Sequence, residues 1–496
     1  MKTETKPKKV KVVGTALDDI PFGDDSEDGF GRAEKVTKKL PPEVSSGMLY
    51  KDIVRIAWPS FIELMLTQLA SMVDLMMVGQ LGPWALTAVG LTTQPKFLLM
   101  TMFNAMNVGV TAMVARYRGA GEQDKANMIM RQGILMTFVL SAIASVIGYI
   151  FAEPLVVFMG AQDAQSLAGA VDYLQIQMIG FVFMALTTTV TAALRGVGDS
   201  RTAMIYNMTA NIVNVIFNYL LIYGNFGFPE MGVAGASLAT IIGQFVAFLY
   251  AFFYIMKGRR YLHLNLRDGF KPHWGELGKI FNIGVPAMIE QLVMRAGMII
   301  YTKTVASLGT IAYATHQVCM NIQALSFMSG QAFAVSATSL VGQSLGRKRP
   351  DMAQAYCSRT RRIGFVIALG IAVVFFFFGG SIVALYNNEP EIVVMGSRIL
   401  MVMAFIQPFQ SSQFIVAGGL RGAGDTKATA VVTFITVLLV RPGVALLMIN
   451  VFHWGLEGAW LAMAMDQILR TTLIFLRYRS GKWKMASINR TKKEAA

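Results

Sequence analysis

The chain repeats itself. Displaced by 227 residues, Pro59, Ile62 and Glu63 fall on Pro286, Ile289 and Glu290, and Leu81-Gly82 falls on Leu308-Gly309. Thr111, Val114, Gly119, Asp124 and Ala126 likewise meet Thr338, Val341, Gly346, Asp351 and Ala353. At a displacement of 226, Leu194-Arg195-Gly196-Val197-Gly198-Asp199 meets Leu420-Arg421-Gly422-Ala423-Gly424-Asp425. A repeat of this length in an apolar chain predicts two copies of one helical bundle facing each other, with a substrate path where they meet.

The solvent for this chain is lipid. It is 54% hydrophobic and only 15% charged, where a soluble domain carries about 25% charge. Apolar runs long enough to cross a ~30 Å hydrocarbon core, about 20 residues each, recur twelve times. They lie roughly at 53–78, 88–115, 132–152, 171–193, 203–224, 234–256, 279–306, 313–342, 363–386, 395–418, 429–450 and 456–476. An even number of spans per copy sends both copies into the membrane in the same sense, so the pseudo-two-fold axis follows the membrane normal. The expected fold is an all-α polytopic membrane protein of twelve transmembrane helices in two six-helix bundles. A first lobe over 49–256 and a second over 279–478 are joined by a cytoplasmic linker at 257–278.

The net charge of +15 reports topology, not nucleic-acid binding. Arg116, Arg118, Lys125 and Arg131 lie between spans 2 and 3, Arg259, Arg260, Arg267 and Lys271 after span 6, and Arg347, Lys348 and Arg349 after span 8. The alternate connections carry Glu153, Asp163, Glu230, Glu389, Glu391 and Glu457. Under the positive-inside rule both termini are cytoplasmic. Residues 1–48 alternate basic and acidic stretches with no apolar signal segment and read as a disordered cytoplasmic tail. Residues 479–496 form a second cytoplasmic tail. Cys319 and Cys357 are too few and too scattered for a disulfide framework or a metal site.

The two Gly-rich loops, Arg195–Arg201 and Arg421–Lys427, invite a phosphate-binding reading. Neither has Gly-Lys-Ser/Thr at the required spacing or a preceding strand. They read as tight turns in which Gly ends one helix and Asp caps the next.

Ionisable groups in hydrocarbon are costly and face internal cavities, which singles out Asp74. It lies eleven residues beyond Glu63, roughly 16 Å along a helix, and falls in the outer half of span 1. Asn214 and Asn218 of span 5 share a helix face. With Asp74 they form an oxygen set for a hard cation, or a hydrogen-bond cage around a protonating aspartate. The competing readings are a hydrated carboxylate at the outer interface and asparagines that glue helices together. By the repeat, Asp74 corresponds to Tyr301, and Asn214 and Asn218 to Val440 and Val444, so the polar site belongs to the first bundle alone.

Glu63 and Glu290 occur in both copies, each one turn after a proline, as packing, gating or substrate-contact elements. Lys96 of span 2 either approaches Asp74 or snorkels to the interface. Arg441, preceding Pro442, satisfies carbonyls or a carboxylate within the second bundle. The 33 methionines pack the core, and flexible thioethers also suit a cavity that accepts many shapes.

Several stretches together resemble the multidrug and toxic compound extrusion (MATE) family over about residues 50–480. They are Val73-Asp74 followed by Met77-Val78-Gly79, the run Val114 to Gly121, the Leu194–Asp199 turn, Asn214/Asn218-Tyr219 with Leu221 to Gly224, and Gly232 to Ala236. The resemblance implies alternating access between two lobes and export of cationic or amphipathic compounds driven by inward H⁺ or Na⁺, with no other cofactor. Members with a first-lobe cation site use residues matching Asp74, Asn214 and Asn218, which would also be the ligands were the ion Na⁺. Other members carry an acid in span 7, where this chain has Met294, and another in span 10, where it has none between Leu400 and Val416. The pattern is similar to the DinF-like branch. It implies a monomer in a bacterial inner membrane. A flippase for a lipid-linked glycan precursor is the alternative, and it wants a basic cavity to which Arg441, Arg295 and Lys96 would contribute. No paired-carboxylate or His–acid motif within the spans suggests an enzyme.

Overall fold

The computed structural model describes residues 15–23, 44–160, 163–257, 261–265, 267 and 269–485. Among them, twelve helices are long and apolar enough to cross a bilayer. In the first lobe these are α1 (Ser46–Gly79), α2 (Pro83–Gly119), α3 (Gln123–Ile150), α4 (Ala164–Gly196), α5 (Ser200–Tyr223) and α6 (Gly232–Met256). In the second they are α7 (Trp274–Ala306), α8 (Thr310–Gly346), α9 (Pro350–Ala384), α10 (Pro390–Gly422), α11 (Thr426–Asn450) and α12 (Gly455–Arg479). The protein is thus an all-α, twelve-span membrane protein. One end of the bundle gathers the Arg- and Lys-rich connections and is called here the basic end; the other is the far end.

Local chemistry sets the helix limits. Ser45 Oγ accepts from the Met48 amide at 3.4 Å to start α1, and Asp163 Oδ1 from the Ser166 amide at 2.7 Å to start α4. The Ser166 amide holds the Asp163 carboxyl below the usual carboxylate range, since a hydrogen-bond donor favours the charged form. Asp199 caps α5 through Thr202 at 3.2 Å. Its counterpart Asp425 instead accepts from Arg477 Nε at 2.7 Å. The Gly-rich loops are turns: Gly198 and Gly424 take φ of +84° and +87°, a left-handed conformation that glycine adopts without a Cβ penalty.

The first helix of each lobe is shared with the other. Leu49, Ile53 and Ile56, in the basic half of α1, pack with Phe333, Leu340, Tyr356 and Ile415 of the second lobe. Reciprocally, Leu277, Ile280 and Ile283 of α7 join the core of the first lobe, while Tyr301 and Val305 near its far end join the second. The prolines inside these helices, Pro59 and Pro286, lie just past the crossed segments.

The seam between the lobes is tightest at the basic end. A Cβ on Gly119 would stand 1.9 Å from the Gln343 carbonyl oxygen, and one on Gly346 would stand 2.0 Å from that of Arg116. Gly119 and Gly346 are repeat partners, as are Arg116 and Gln343, so this reciprocal approach marks the pseudo-axis. Among the described residues, every hydrogen bond joining the two six-helix bundles lies in the basic half, including Ser339 Oγ and Gln343 Nε2 to the Gly196 carbonyl at 3.1 and 2.9 Å.

Two expectations change. The N-terminal tail expected to be disordered over 1–48 is ordered at 15–23, where Ala16–Asp19 form a short 3₁₀ turn and Leu17 is only 1% exposed. Apolar Leu17 and Ile20 enter a core cluster with α1, α8, α9 and α10, and that burial supplies what a charged tail lacks. The C-terminal segment expected as tail from 479 is likewise docked through 485. Trp483 is buried, stacked on Tyr478 at 5.4 Å, and donates Nε1 to the Tyr478 carbonyl at 2.8 Å.

Candidate ion and substrate site

Asp74 lies about five residues before the far end of α1 and is half-buried. Asn218, fully buried on α5, donates its side-chain Nδ2 to Asp74 Oδ1. The same amide leans toward Asn214 Oδ1 at 3.5 Å, and Asn214 in turn donates to Thr240 Oγ1 of α6 at 3.2 Å. Three helices thereby fix one carboxylate and two carboxamides. Asn218 Oδ1 is buried and accepts no hydrogen bond. A carboxylate beside a free amide oxygen can take a proton on the acid or a hard cation between the oxygens. Lys96 of α2 is half-buried. Among the described residues no three His, Cys, Asp or Glu side chains are grouped to hold a metal.

Glu63 and Glu290 are committed to their own lobes. Glu63 accepts from Arg195 Nη2 at 2.9 Å and from Asn207 Nδ2 at 2.6 Å. Glu290 accepts from Arg421 Nη2 at 2.7 Å, Thr429 Oγ1 at 2.9 Å and Thr433 Oγ1 at 3.4 Å. The arginines come from the two Gly-rich turns, so turn and proline-linked glutamate form one repeated unit.

Arg441 is bound to a carboxylate. Its Nε and Nη2 meet Asp466 Oδ2 of α12 at 2.9 and 2.5 Å, and Arg470 Nη2 reaches the same oxygen at 2.6 Å. The Arg441 guanidinium carbon also lies 5.7 Å from the centre of the Tyr301 ring. Tyr301 is buried against His316, with ring centroids 5.6 Å apart, and its hydroxyl has no partner. Asp466 and Arg470 were not singled out from the sequence. The signal was present, since two ionisable groups four apart inside an apolar span are conspicuous.

The sequence pairing of Asn214 with Val440 and Asn218 with Val444 does not hold. Phe434–Val440 form a π-helical segment within α11, and the Arg441 amide bonds the Thr436 carbonyl five residues back. A π turn carries one extra residue. Before it, Asn207 and Thr433 occupy equivalent places on Glu63 and Glu290, a displacement of 226. After it, the Leu221 and Met448 carbonyls play equivalent parts for Met231 and Trp454, a displacement of 227. The residue in the place of Asn214 is therefore Arg441, and that in the place of Asn218 is Ala445, as fully buried as Asn218 itself. Gly243, whose added Cβ would stand 3.2 Å from Asn214 Cβ, has Asp466 as its counterpart. The first lobe places a carboxylate among amides; the second places two guanidiniums around a carboxylate.

The MatE family model matches the chain at residues 59–220 and 286–447, one match in each half. The chain is 28% identical over 452 residues to a probable multidrug resistance protein NorM of Thermotoga maritima, covering 91% of this chain and 97% of that protein. It is 29% identical over 429 residues to an uncharacterized transporter YisQ of Bacillus subtilis, covering 86% and 94%. Its fold matches a crystal structure of MATE in the bent conformation with a TM-score of 0.82 at 22% identity, over 88% of this chain and 96% of that one. It also matches an outward-facing multidrug resistance MATE family transporter of the MOP superfamily, with a TM-score of 0.78 at 23% identity over 89% and 97%.

Proposed function

The chain belongs to the MatE family, and we propose that it is a secondary multidrug efflux antiporter working by alternating access. It exports cationic or amphipathic compounds against an inward flow of H⁺. The observation that carries the reading is the Asp74–Asn218–Asn214 set, in which one carboxylate accepts from the Asn218 amide and that amide faces Asn214, in one lobe only. Related proteins named for multidrug resistance support the substrate class. Asp74 with its amide pair, and Met294 in place of a second-lobe acid, support the DinF-like branch.

The lobes are joined at their basic ends, which supports a state closed toward the cytoplasm. In the cycle we propose, Asp74 takes a proton from the far side as substrate leaves, and releases it after the lobes rock to open the basic end. One carboxylate with neutral amides favours H⁺; Na⁺ would bind the same oxygens. The positive-inside pattern supports cytoplasmic termini, and the bacterial relatives support an inner-membrane location.

The test is drug efflux in proteoliposomes under an imposed pH gradient. Asp74→Asn abolishes transport while leaving the protein folded; full transport by that variant overturns the site. Replacing Na⁺ with choline leaves wild-type transport unchanged if H⁺ suffices, and stops it if Na⁺ is the coupling ion. A flippase would need several uncommitted cations around a pyrophosphate, whereas Nε and Nη2 of Arg441 are engaged by Asp466.

A further inference from the structure

A buried cluster in the second lobe holds one more positive charge than its own carboxylate offsets. The Arg441, Arg470 and Asp466 side chains are 3%, 2% and 0% exposed, and both guanidiniums converge on the single oxygen Asp466 Oδ2. The next carboxylate, Glu290, is already bound by Arg421 and two threonines. A buried charge is tolerated only when paired and hydrogen-bonded, yet the remaining donors find weak acceptors. Arg441 Nη1 lies 3.2 Å from Met298 Sδ, Arg470 Nη1 lies 3.7 Å from Met294 Sδ, and Arg470 Nε is buried without any partner. Thioether sulfur accepts poorly. Met294 and Met298 are one turn apart on α7 and only half-buried, so these donors lie against two flexible side chains that are themselves partly exposed. Asp466 Oδ1 is also unpartnered and suits a neutral donor beside an anion.

We propose that this cluster is a second ligand site, which binds the carboxylate of an organic acid or zwitterion. Arg441 Nη1 and Arg470 Nη1 and Nε hold the anion once Met294 and Met298 turn aside, a planar fork matched to a planar carboxylate. That the ligand is a transported substrate rests on the efflux reading above; that an anion binds does not.

The probe is sodium benzoate, added to the purified full-length protein, with thermal unfolding as readout. Benzamide at the same concentration tests the charge, and sodium chloride at matched ionic strength tests the source. Benzoate raises the unfolding temperature saturably and the other two do not. Arg441→Gln and Arg470→Gln remove the shift. Met294→Glu supplies the carboxylate from the chain itself, so it removes the benzoate shift in a protein that still folds. An equal response to benzamide, no response to benzoate, or a response that survives Met294→Glu overturns the proposal. A saturable chloride response equal to that of benzoate also overturns it, because the site then serves inorganic anions. Asp74→Asn, which tests the efflux reading, leaves the benzoate shift in place.

At the basic end, a separate set of contacts ties the lobes through the chain's own N-terminal segment. The Asp18 carboxylate accepts from Arg118 of the first lobe at 3.0 Å and from Arg347, just past α8 of the second, at 3.4 Å. Arg347 Nη1 donates to the Ile20 carbonyl at 2.6 Å, and the Gly23 amide donates to the Arg347 carbonyl at 3.2 Å. The Ala16 amide donates to Asp52 of α1 at 2.8 Å. We infer that residues 15–23 are a latch holding the basic ends closed, so that opening toward that side requires the segment to leave or to shift.

Spin labels at Arg201→Cys and Lys427→Cys report the separation. These exposed repeat partners lie in the first turns of α5 and α11, and the native Cys319 and Cys357 are buried. Asp18→Ala and Leu17→Asp, made separately, each enlarge the long-distance population of the full-length protein. Unchanged distance distributions in both variants overturn the latch.

Discussion

Asn218 donates its side-chain amide to Asp74 from the facing helix, while its own carboxamide oxygen, buried, accepts nothing. The pair is lopsided: the acid is held from one side, and an oxygen beside it is left to receive a proton donor or a cation. A hydrogen bond to a charged group contributes about 1.5–3 kcal/mol. That bond favours the ionised carboxylate over the protonated acid, so Asn218→Ala strengthens proton binding at Asp74 by roughly 10- to 100-fold, given that 1.4 kcal/mol is about a factor of ten. The half-saturating proton concentration for efflux from proteoliposomes measures it; a value equal to wild type removes Asn218 from the site.

The two glutamate–arginine pairs should differ in how much they stabilise. Removing one partner of a buried ion pair costs about 3–5 kcal/mol because the other charge is left uncompensated. The Glu290 side chain is 1% exposed and that of Glu63 is 9%, so water relieves Glu63 more. Arg421→Ala is expected to lower the unfolding temperature more than Arg195→Ala, and each more than the neutralising Glu→Gln change at its partner. The reverse ranking would show that burial does not set these energies.

Glycine is required at the pseudo-axis. Gly119→Ala and Gly346→Ala each place a methyl within about 2 Å of a backbone oxygen across the seam, and backbone cannot turn aside as a side chain can. Each substitution pushes the basic ends apart, which the 201–427 label distance registers as an increase. Gly90→Ala, where an added Cβ meets nothing within 4 Å, is the control. It is neutral or stabilises the helix by up to about 1 kcal/mol.

The π segment of α11 makes a prediction about deletion. Removing Leu438 relieves the extra residue of Phe434–Val440, so the helix on both sides keeps its facing and Arg441 still meets Asp466. Removing Ile212 from the regular α5 rotates Asn214 and Asn218 by about 100° relative to the preceding turn, at 3.6 residues per turn. Size-exclusion profiles of the detergent-solubilised variants decide it: Leu438 deletion stays monodisperse and Ile212 deletion does not.

Hydropathy and the internal repeat are enough to give twelve spans, two like lobes and the segregation of charge to one end. Each of those follows from single residues partitioning between water and lipid, which needs no knowledge of neighbours. Asp74, Asn214 and Asn218 were legible for the same reason, as polar groups placed where apolar ones are cheaper. Asp466 and Arg470 carried that signal too, but their meaning depends on Arg441, which stands 25 residues before Asp466 and on another helix.

Counting residues could not show that α11 carries one residue too many. A π turn changes no hydropathy, yet it moves the match of Asn214 from Val440 to Arg441. Nor could composition show that α1 and α7 give their basic halves to the opposite lobe, or that Leu17 and Asp18 fold back onto the seam. These are decided by packing between segments far apart in the chain, where shape and charge are matched only after both surfaces exist. The repeat and the bilayer fix what each helix is; contact between helices fixes which residues face one another, and so where the two lobes cease to be copies.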